Sequence, residues 1–241
     1  MHIYRQQQRQ QQLCPLPAPA PLAPQEDEAQ ISSSWAGLAT YPTADETLRR
    51  LAAAAVRRQQ YHQAVQLLGQ LIERHPQRAI YYSNRGLVYL RMGRLQAALS
   101  DCHRAVDLGP NLDHAYNNRA MCYAALGQLT AAVEDYERAI DLNPFNSRAR
   151  INLGTTLRQM GDLDSALDCF DEALMFYQLS EVIYAERGRT YHLRGDWNCA
   201  IADYQRALAA AAHLKPSRQL QALVQQVQTW ISDLLPQQSW A

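Results

Sequence analysis

The sequence predicts an all-α fold built from tandem pairs of helices, and three observations lead to this prediction. Alanine recurs every 34 residues, at Ala64, Ala98, Ala132, Ala166 and Ala200. Glycine and proline keep the same interval, at Gly93, Gly127, Gly161 and Gly195 and at Pro76, Pro110 and Pro144. Within each 34-residue unit, apolar residues follow the i, i+4, i+7 spacing of a helix. A fixed interval of this length is typical of helical repeat proteins.

Residues 1–42 differ in composition from the rest of the chain. They contain the runs QQQRQQQ and PLPAPAPLAP and six of the eleven prolines. Such a segment buries too little apolar surface to offset the entropy lost on ordering, so we expect a disordered Gln/Pro-rich tail. It lacks the apolar stretch of a secretory signal, and no apolar run in the chain is long enough to cross a bilayer. We therefore expect a cytoplasmic protein that meets a membrane only through a partner.

The repeated part of the chain is predicted to begin with a capped helix. Thr43 and Glu46 stand in the spacing of a capping box, in which each side chain binds the backbone of the other. Five 34-residue units fit within 43–214, at 45–78, 79–112, 113–146, 147–180 and 181–214. The glycine marks the turn between the two helices of a unit, and the proline of the first three units ends the second helix because it disfavours helix in the residue before it. Three units depart from this pattern: the first has Gln59 in place of the glycine, and the last two have Gln178 and Ala212 in place of the proline.

Residues 215–241 are predicted to contain one further helix that caps the array. Between 216 and 235, apolar residues fall on one helical face, at Leu220, Leu223, Val224, Val227, Ile231 and Leu234. The opposite face carries Gln219, Gln225, Gln226 and Ser232. A stacked array needs a terminal element with a polar outer face, which this helix would supply.

These units resemble the tetratricopeptide repeat (TPR). The resemblance rests on small residues at positions 8 and 20 of every unit, alanine at position 27 of all units but the first, and proline at position 32 of the first three. It is most complete in NRGLVYLRMGRLQAALSDCHRAVDLGP and NRAMCYAALGQLTAAVEDYERAIDLNP. The resemblance covers 45–214. It implies a right-handed α–α superhelix whose first helices line a concave groove that binds peptides or partner segments.

The resemblance also implies which side of each first helix faces this groove. Positions 2, 6, 9 and 13, flanked by 5 and 12, point away from the core positions 4, 7, 8 and 11, and we call this side the groove face. It carries seven arginines against two glutamates, a charge of about +5. The candidate binding residues are Arg49, Arg50, Arg57, Asn84, Leu87, Arg91, Asn118, Met121, Arg148, Asn152, Arg158 and Arg189.

Asparagine recurs on this face at position 6, in Asn84, Asn118 and Asn152. An amide both donates and accepts hydrogen bonds, so these residues suit the backbone of an extended peptide whatever its sequence. The alternative is that asparagine is only the usual residue at this position and contacts no ligand.

A comparison of the repeats with one another predicts residues that join their helices. Arginine at position 7 occurs with aspartate at position 23 in three repeats, whereas leucine at position 7 occurs with an apolar residue in the other two. Arginine suits a half-buried place because its planar fork donates to a carboxylate while its stem packs. We expect the ion pairs Arg85–Asp101, Arg119–Asp135 and Arg187–Asp203.

Composition and motifs argue against several classes of function. The 23 basic and 23 acidic residues cancel, which disfavours a protein that binds nucleic acid with its whole surface. Lys215 is the single lysine and precedes proline, which excludes a P-loop or kinase lysine. The chain has no HExxH, GxSxG or GxGxxG motif and no histidine pair at i, i+4. We therefore expect no enzyme, no metal and no small-molecule cofactor.

The leading hypothesis is a non-catalytic scaffold that binds an extended, neutral-to-acidic peptide or segment of another protein in its groove. One alternative is an assembly or chaperone-like factor for a larger complex, including a membrane-bound one. Another is an RNA-binding helical solenoid that uses the same arginines. Oligomerisation also stays open, because repeats 1 and 2 sum to +3 and +2 whereas repeats 3 and 4 sum to −3 and −2.

Overall fold

A computed structural model describes residues 43–176 and 179–234. The predicted tail at 1–42 and the last residues of the predicted cap, 235–241, lie outside this part of the chain. The described residues form helices joined by short turns, without a strand. The helices are α1 (Ala44–Arg57), α2 (Tyr61–Arg74), α3 (Ala79–Arg91), α4 (Leu95–Leu108), α5 (Asp113–Ala125), α6 (Leu129–Leu142), α7 (Ser147–Met160), α8 (Leu163–Leu174), α9 (Ser180–Arg194), α10 (Trp197–Ala212) and α11 (Arg218–Leu234).

The start of α1 is capped at the predicted residue. The Thr43 side chain accepts a hydrogen bond of 3.2 Å from the backbone N–H of Glu46. The Glu46 carboxylate binds Arg49 on the groove face at 2.5 Å. Asp45, in the same turn, binds Arg74 and His75 at the end of α2, which ties α1 to its partner helix.

The turns between paired helices use a residue in the left-handed region of backbone space. Gly93, Gly127, Gly161 and Gly195 have φ between 71° and 89°. Gln59 keeps the same turn in the first pair, with φ at 60°, although its side chain disfavours that conformation. The turn between α1 and α2 therefore keeps the same backbone shape without glycine, but this shape is less favourable for Gln59 than for glycine.

The chain divides into two compact units, whose described parts we call the first unit (43–156) and the second unit (157–234, without 177–178). Helix α7 contributes residues to both. In the first unit, the alanines of the repeat are buried between helices, with Ala64 and Ala98 at 0% exposure. Gly86 is equally constrained, because a Cβ atom there would lie 2.7 Å from Cys102 Sγ. Small residues recur because neighbouring helices approach closely at these points.

In the second unit, α11 packs on α9 and α10. Val227 is fully buried, and the Trp230 ring lies 5.6 Å from the Tyr204 ring. Gln219, Gln225 and Gln226 are exposed on the outer side of the helix. Its apolar stripe therefore packs against the array, with Val227 buried and the other members partly buried, and its polar stripe faces water. Among the described residues, no helix combines the length and hydropathy that a bilayer crossing requires.

Candidate functional site

The three predicted arginine–aspartate pairs are confirmed. In each pair the arginine lies on the first helix of a repeat and donates from Nε and Nη2 to the two carboxylate oxygens of the aspartate. Arg85 reaches Asp101 at 2.7 and 2.9 Å, and Arg119 reaches Asp135 at 2.7 and 2.8 Å. Two parallel bonds of this kind fix the orientation as well as the distance of the paired helices. We call these pairs struts.

Each strut is held between two tyrosine rings, which the sequence comparison missed. The Arg119 guanidinium lies 5.5 Å from the centre of the Tyr116 ring and 5.9 Å from that of Tyr123. Arg85 and Arg187 have the same two neighbours, at positions 4 and 11 of their repeats. Tyrosine occupies both positions only in the repeats that have a strut, so the same comparison of repeats contains the signal. The rings hold the guanidinium through cation–π contacts.

The most buried strut is in the second unit. Asp203 is fully buried and accepts from Arg187 and, at 2.7 Å, from Arg206. Arg187 also donates to Asp171, sixteen residues earlier on α8. Burial alone lowers the pKa of Arg187, but Asp203 and Asp171 reverse this effect and raise it. The arginine is therefore charged, and its role is structural.

On the groove face of the first unit, four of the predicted arginines are exposed and have no ion pair or hydrogen bond with another described residue. They are Arg50, Arg57, Arg91 and Arg148. The only acidic residue at a groove-face position of this unit is Glu46, which is already bound to Arg49. Exposure alone does not leave arginines unpaired, since the exposed Arg74 and Arg194 have carboxylate partners. This face of the first unit therefore carries an excess of uncompensated positive charge.

The asparagines of the first unit form a hydrogen-bonded chain across three first helices. Asn152 on α7 donates to Asn117 on α5 at 3.2 Å, and Asn117 donates to Asn118 at 3.3 Å. Asn118 donates in turn to the hydroxyl and the backbone oxygen of Ser83 on α3, at 3.0 and 3.4 Å. Asn118 is only 6% exposed. Its amide is therefore turned inward, where its bonds to Ser83 join neighbouring repeats. Sequence reasoning missed the position 5 members, Ser83 and Asn117.

Asn84, the remaining position 6 residue, is half-buried and makes no hydrogen bond with a described residue. Its amide is therefore open to a ligand in a way that the Asn118 amide is not. Leu87 and Met121, at position 9 of successive repeats, are half-buried on the same face. They place apolar surface beside the open amide.

In the second unit, the two predicted binding arginines have partners of their own. Arg158 donates to the Glu186 carboxylate at 2.6 Å, to the Glu186 backbone oxygen at 2.9 Å and to the Thr190 hydroxyl at 3.2 Å. The Arg189 guanidinium lies 5.3 Å from the centre of the Trp230 ring on α11. These contacts hold α7 to α9 and α9 to α11. The groove-face arginines that have no partner among the described residues therefore all lie in the first unit.

Comparisons with known proteins agree with this architecture. Three models of the tetratricopeptide repeat match residues 49–113, 114–146 and 135–168. Serine/threonine-protein phosphatase 5 of Mus musculus is 40% identical over 73 residues, which are 28% of this chain and 15% of the phosphatase. The chain thus spans a small part of that relative.

Solved structures show the same fold. A thermophilic TPR protein of Thermus thermophilus superposes with a TM-score of 0.68 and 21% identity, over 77% of this chain and all of the other. A crystal structure of MamA superposes with a TM-score of 0.56 and 19% identity, over 70% of this chain and 95% of the other. The predicted fold class, an all-α TPR solenoid, is confirmed. The helix pairs, the small buried residues and the family models together show that this chain belongs to the tetratricopeptide repeat family.

Proposed function

We propose that the first unit binds an extended, neutral-to-acidic peptide or partner segment along the groove face of α1, α3, α5 and α7. As a TPR protein, the chain is a protein-interaction scaffold. TPR arrays are generally non-catalytic, and we propose that this one also acts by binding alone.

The unpaired arginines are the observation that carries the proposal. Arg50, Arg57, Arg91 and Arg148 are exposed without a partner among the described residues, and the one carboxylate at a groove-face position of the first unit is bound to Arg49. Such a surface attracts acidic ligands from solution and disfavours basic ones. Arginine then makes charge-assisted, often bidentate, hydrogen bonds to carboxylates. Acidic side chains along an extended segment would supply these carboxylates.

Two further features support an extended segment as the ligand. The Asn84 amide has no hydrogen bond within the described chain, so it is free to donate to a peptide carbonyl and accept from a peptide N–H. Leu87 and Met121 add apolar contacts, and methionine adapts to side chains of different shape. Asn118 and Asn152 would act indirectly, by holding α3, α5 and α7 in register beneath the ligand.

Selection of peptides from a random library displayed on phage tests this proposal. The selected peptides should be enriched in aspartate and glutamate, and their affinity should fall as salt rises because the contacts are ionic. The triple variant Arg57→Glu, Arg91→Glu, Arg148→Glu should bind them at least tenfold more weakly. A matched control, Arg78→Glu, Arg94→Glu, Arg138→Glu, reverses three exposed arginines off the groove face and should bind as the parent does.

Two results would overturn the proposal. Retention of binding by the groove-face variant would show that these arginines do not contact the ligand. A library that returns no acidic enrichment, together with tight binding of single-stranded RNA that the same variant loses, would support the RNA-binding alternative.

A further inference from the structure

Each strut arginine has one nitrogen that its aspartate does not use. Because Nε and Nη2 bind the aspartate, Nη1 points away from it, toward the second helix of the preceding repeat. In two struts a residue sixteen positions earlier meets this nitrogen. Asp171 accepts from Arg187, and Nδ1 of His103 lies 3.4 Å from Nη1 of Arg119. Each strut thus has a site next to Nη1, formed by the residue sixteen positions before the arginine, and we call this site the third place.

In the Arg85 strut the third place is open. The residue sixteen positions before Arg85 is Gly69, on α2. A Cβ atom built on Gly69 would lie 4.0 Å from Nη1 of Arg85, and beyond the backbone around Gly69 itself it would have no other neighbour within 4 Å. Among the described residues, Nη1 of Arg85 makes no hydrogen bond. We call this space, bounded by Gly69, Arg85 and the Tyr82 and Tyr89 rings, the Gly69 notch.

Exposure of the three arginines follows the filling of the third place. The Arg85 side chain is 23% exposed, Arg119 beside His103 is 17% exposed, and Arg187 beside Asp171 is 11% exposed. The strut with the open notch therefore has the arginine side chain that is most exposed to water. The Tyr82 and Tyr89 rings, at 5.9 and 5.8 Å, and the bonds to Asp101 already fix its orientation. A ligand would meet a donor that is held in place.

We propose that the Gly69 notch binds the carboxylate of an aspartate or glutamate side chain from a protein partner. The Asp171–Arg187 contact shows that a strut arginine can donate a hydrogen bond to a second carboxylate in the third place. In that strut Arg206, three residues after Asp203, balances the added negative charge at 2.7 Å. Arg104 stands three residues after Asp101 in the same register, so the Arg85 strut has a corresponding cation.

This carboxylate site goes beyond the groove proposed above. Arg85 is at position 7 of its repeat, among the core positions, whereas the groove face comprises positions 2, 6, 9 and 13. Gly69 lies on α2, Arg85 on α3 and Asp101 on α4, so the notch is formed where two repeats meet. A partner with two acidic stretches would engage both places independently.

Arginine side-chain NMR of the full chain tests the proposal, with N-acetyl-glutamate α-amide as the probe and N-acetyl-glutamine α-amide as the neutral control. At low ionic strength the glutamate probe should shift the Arg85 Nε–Hε signal saturably, and the glutamine probe should not. The Arg187 signal should stay in place because Asp171 occupies its third place. Gly69→Asp should reduce the Arg85 response at least fivefold, whereas Gly69→Ala should preserve it.

Several outcomes would overturn the proposal. They are the absence of an Arg85 shift, an equal shift of Arg85 and Arg187, and a response to inorganic phosphate without one to the glutamate probe. Backbone spectra of both Gly69 variants establish that they fold. The triple groove variant should keep the Arg85 response, so failure of the groove proposal and failure of the notch proposal are distinguishable.

Discussion

Arg187 and Asp203 are joined by two parallel hydrogen bonds, at 2.7 Å from Nε and 2.9 Å from Nη2, and Asp203 is fully buried. Repeats 1 and 4 fill the same two positions with apolar residues, Leu51 with Leu67 and Leu153 with Cys169. One chain thus contains both solutions to the same packing problem. A buried ion pair gains little over an apolar pair of similar size, but half of an ion pair is costly.

Replacing both residues of the Arg119–Asp135 strut with leucine should lower the free energy of unfolding less than replacing the aspartate alone. Asp135→Leu leaves the Arg119 charge uncompensated and should lower the free energy of unfolding by about 2–4 kcal/mol. The double variant Arg119→Leu, Asp135→Leu reproduces the apolar solution and should recover most of this loss. Urea unfolding followed by circular dichroism measures both, and additive losses in the double variant would contradict the coupling.

Gly86→Ala should destabilise the protein although alanine favours helix. The new Cβ would lie 2.7 Å from Cys102 Sγ and 3.1 Å from the Ala98 carbonyl oxygen. Overpacking costs about 1–3 kcal/mol, and two contacts this short place Gly86→Ala toward the upper end of that range, above the helix-propensity gain of about 1 kcal/mol. Adding Cys102→Ala should restore part of the loss in thermal unfolding. Gly69→Ala, where the space is open, is the matched control and should raise the melting temperature.

The turn between α1 and α2 should become more stable with glycine. Gln59 adopts a φ of 60°, where a side chain is unfavourable. Gln59→Gly should therefore raise the free energy of unfolding by about 1 kcal/mol. The reciprocal change, Gly93→Gln, should lower it by a similar amount, because nothing lies within 4 Å of a Cβ there and only the backbone opposes it. Equal stability of both variants and the parent would refute this account of the turn.

The contact between Asp45 and the end of α2 should make stability depend on pH in the acid range. The hydrogen bond from His75, and then that from Arg74, lowers the pKa of Asp45 below its ordinary value of 3.8. The folded state then binds this proton less readily than the unfolded state. The stabilisation is therefore complete above the ordinary pKa and disappears as the pH falls through the folded value.

Asp45→Asn removes this dependence. Its free energy of unfolding should be lower than that of the parent at neutral pH, and the difference should vanish in acid below the folded pKa of Asp45. Glu134→Gln replaces an exposed carboxylate on α6 that has no ion pair among the described residues, and it serves as the control. A difference between Asp45→Asn and the parent that stayed constant down to strong acid would contradict the assignment.

Much of the architecture follows from local sequence. The helix spacing and the recurrent small residues are periodic along the chain, and the cap at Thr43 is a four-residue motif. All three depend only on near neighbours, so the sequence predicts them. The struts were predictable for a different reason. Five copies of one unit show which positions change together. Wherever position 7 is arginine, as in Arg85 and Arg119, position 23 is aspartate, as in Asp101 and Asp135. The tyrosine rings follow the same pattern and needed only a wider comparison.

The sequence by itself determined the helix pairs, the residues that pack between them and the partners of the struts. Only the tertiary structure decided which groove-face residues are free. Arg158 meets Glu186 across 28 residues, and Asn118 meets Ser83 across 35. Arg85 faces the empty place above Gly69. Such contacts depend on how neighbouring repeats stack, and the composition of a helix face does not show whether its charges are already bound.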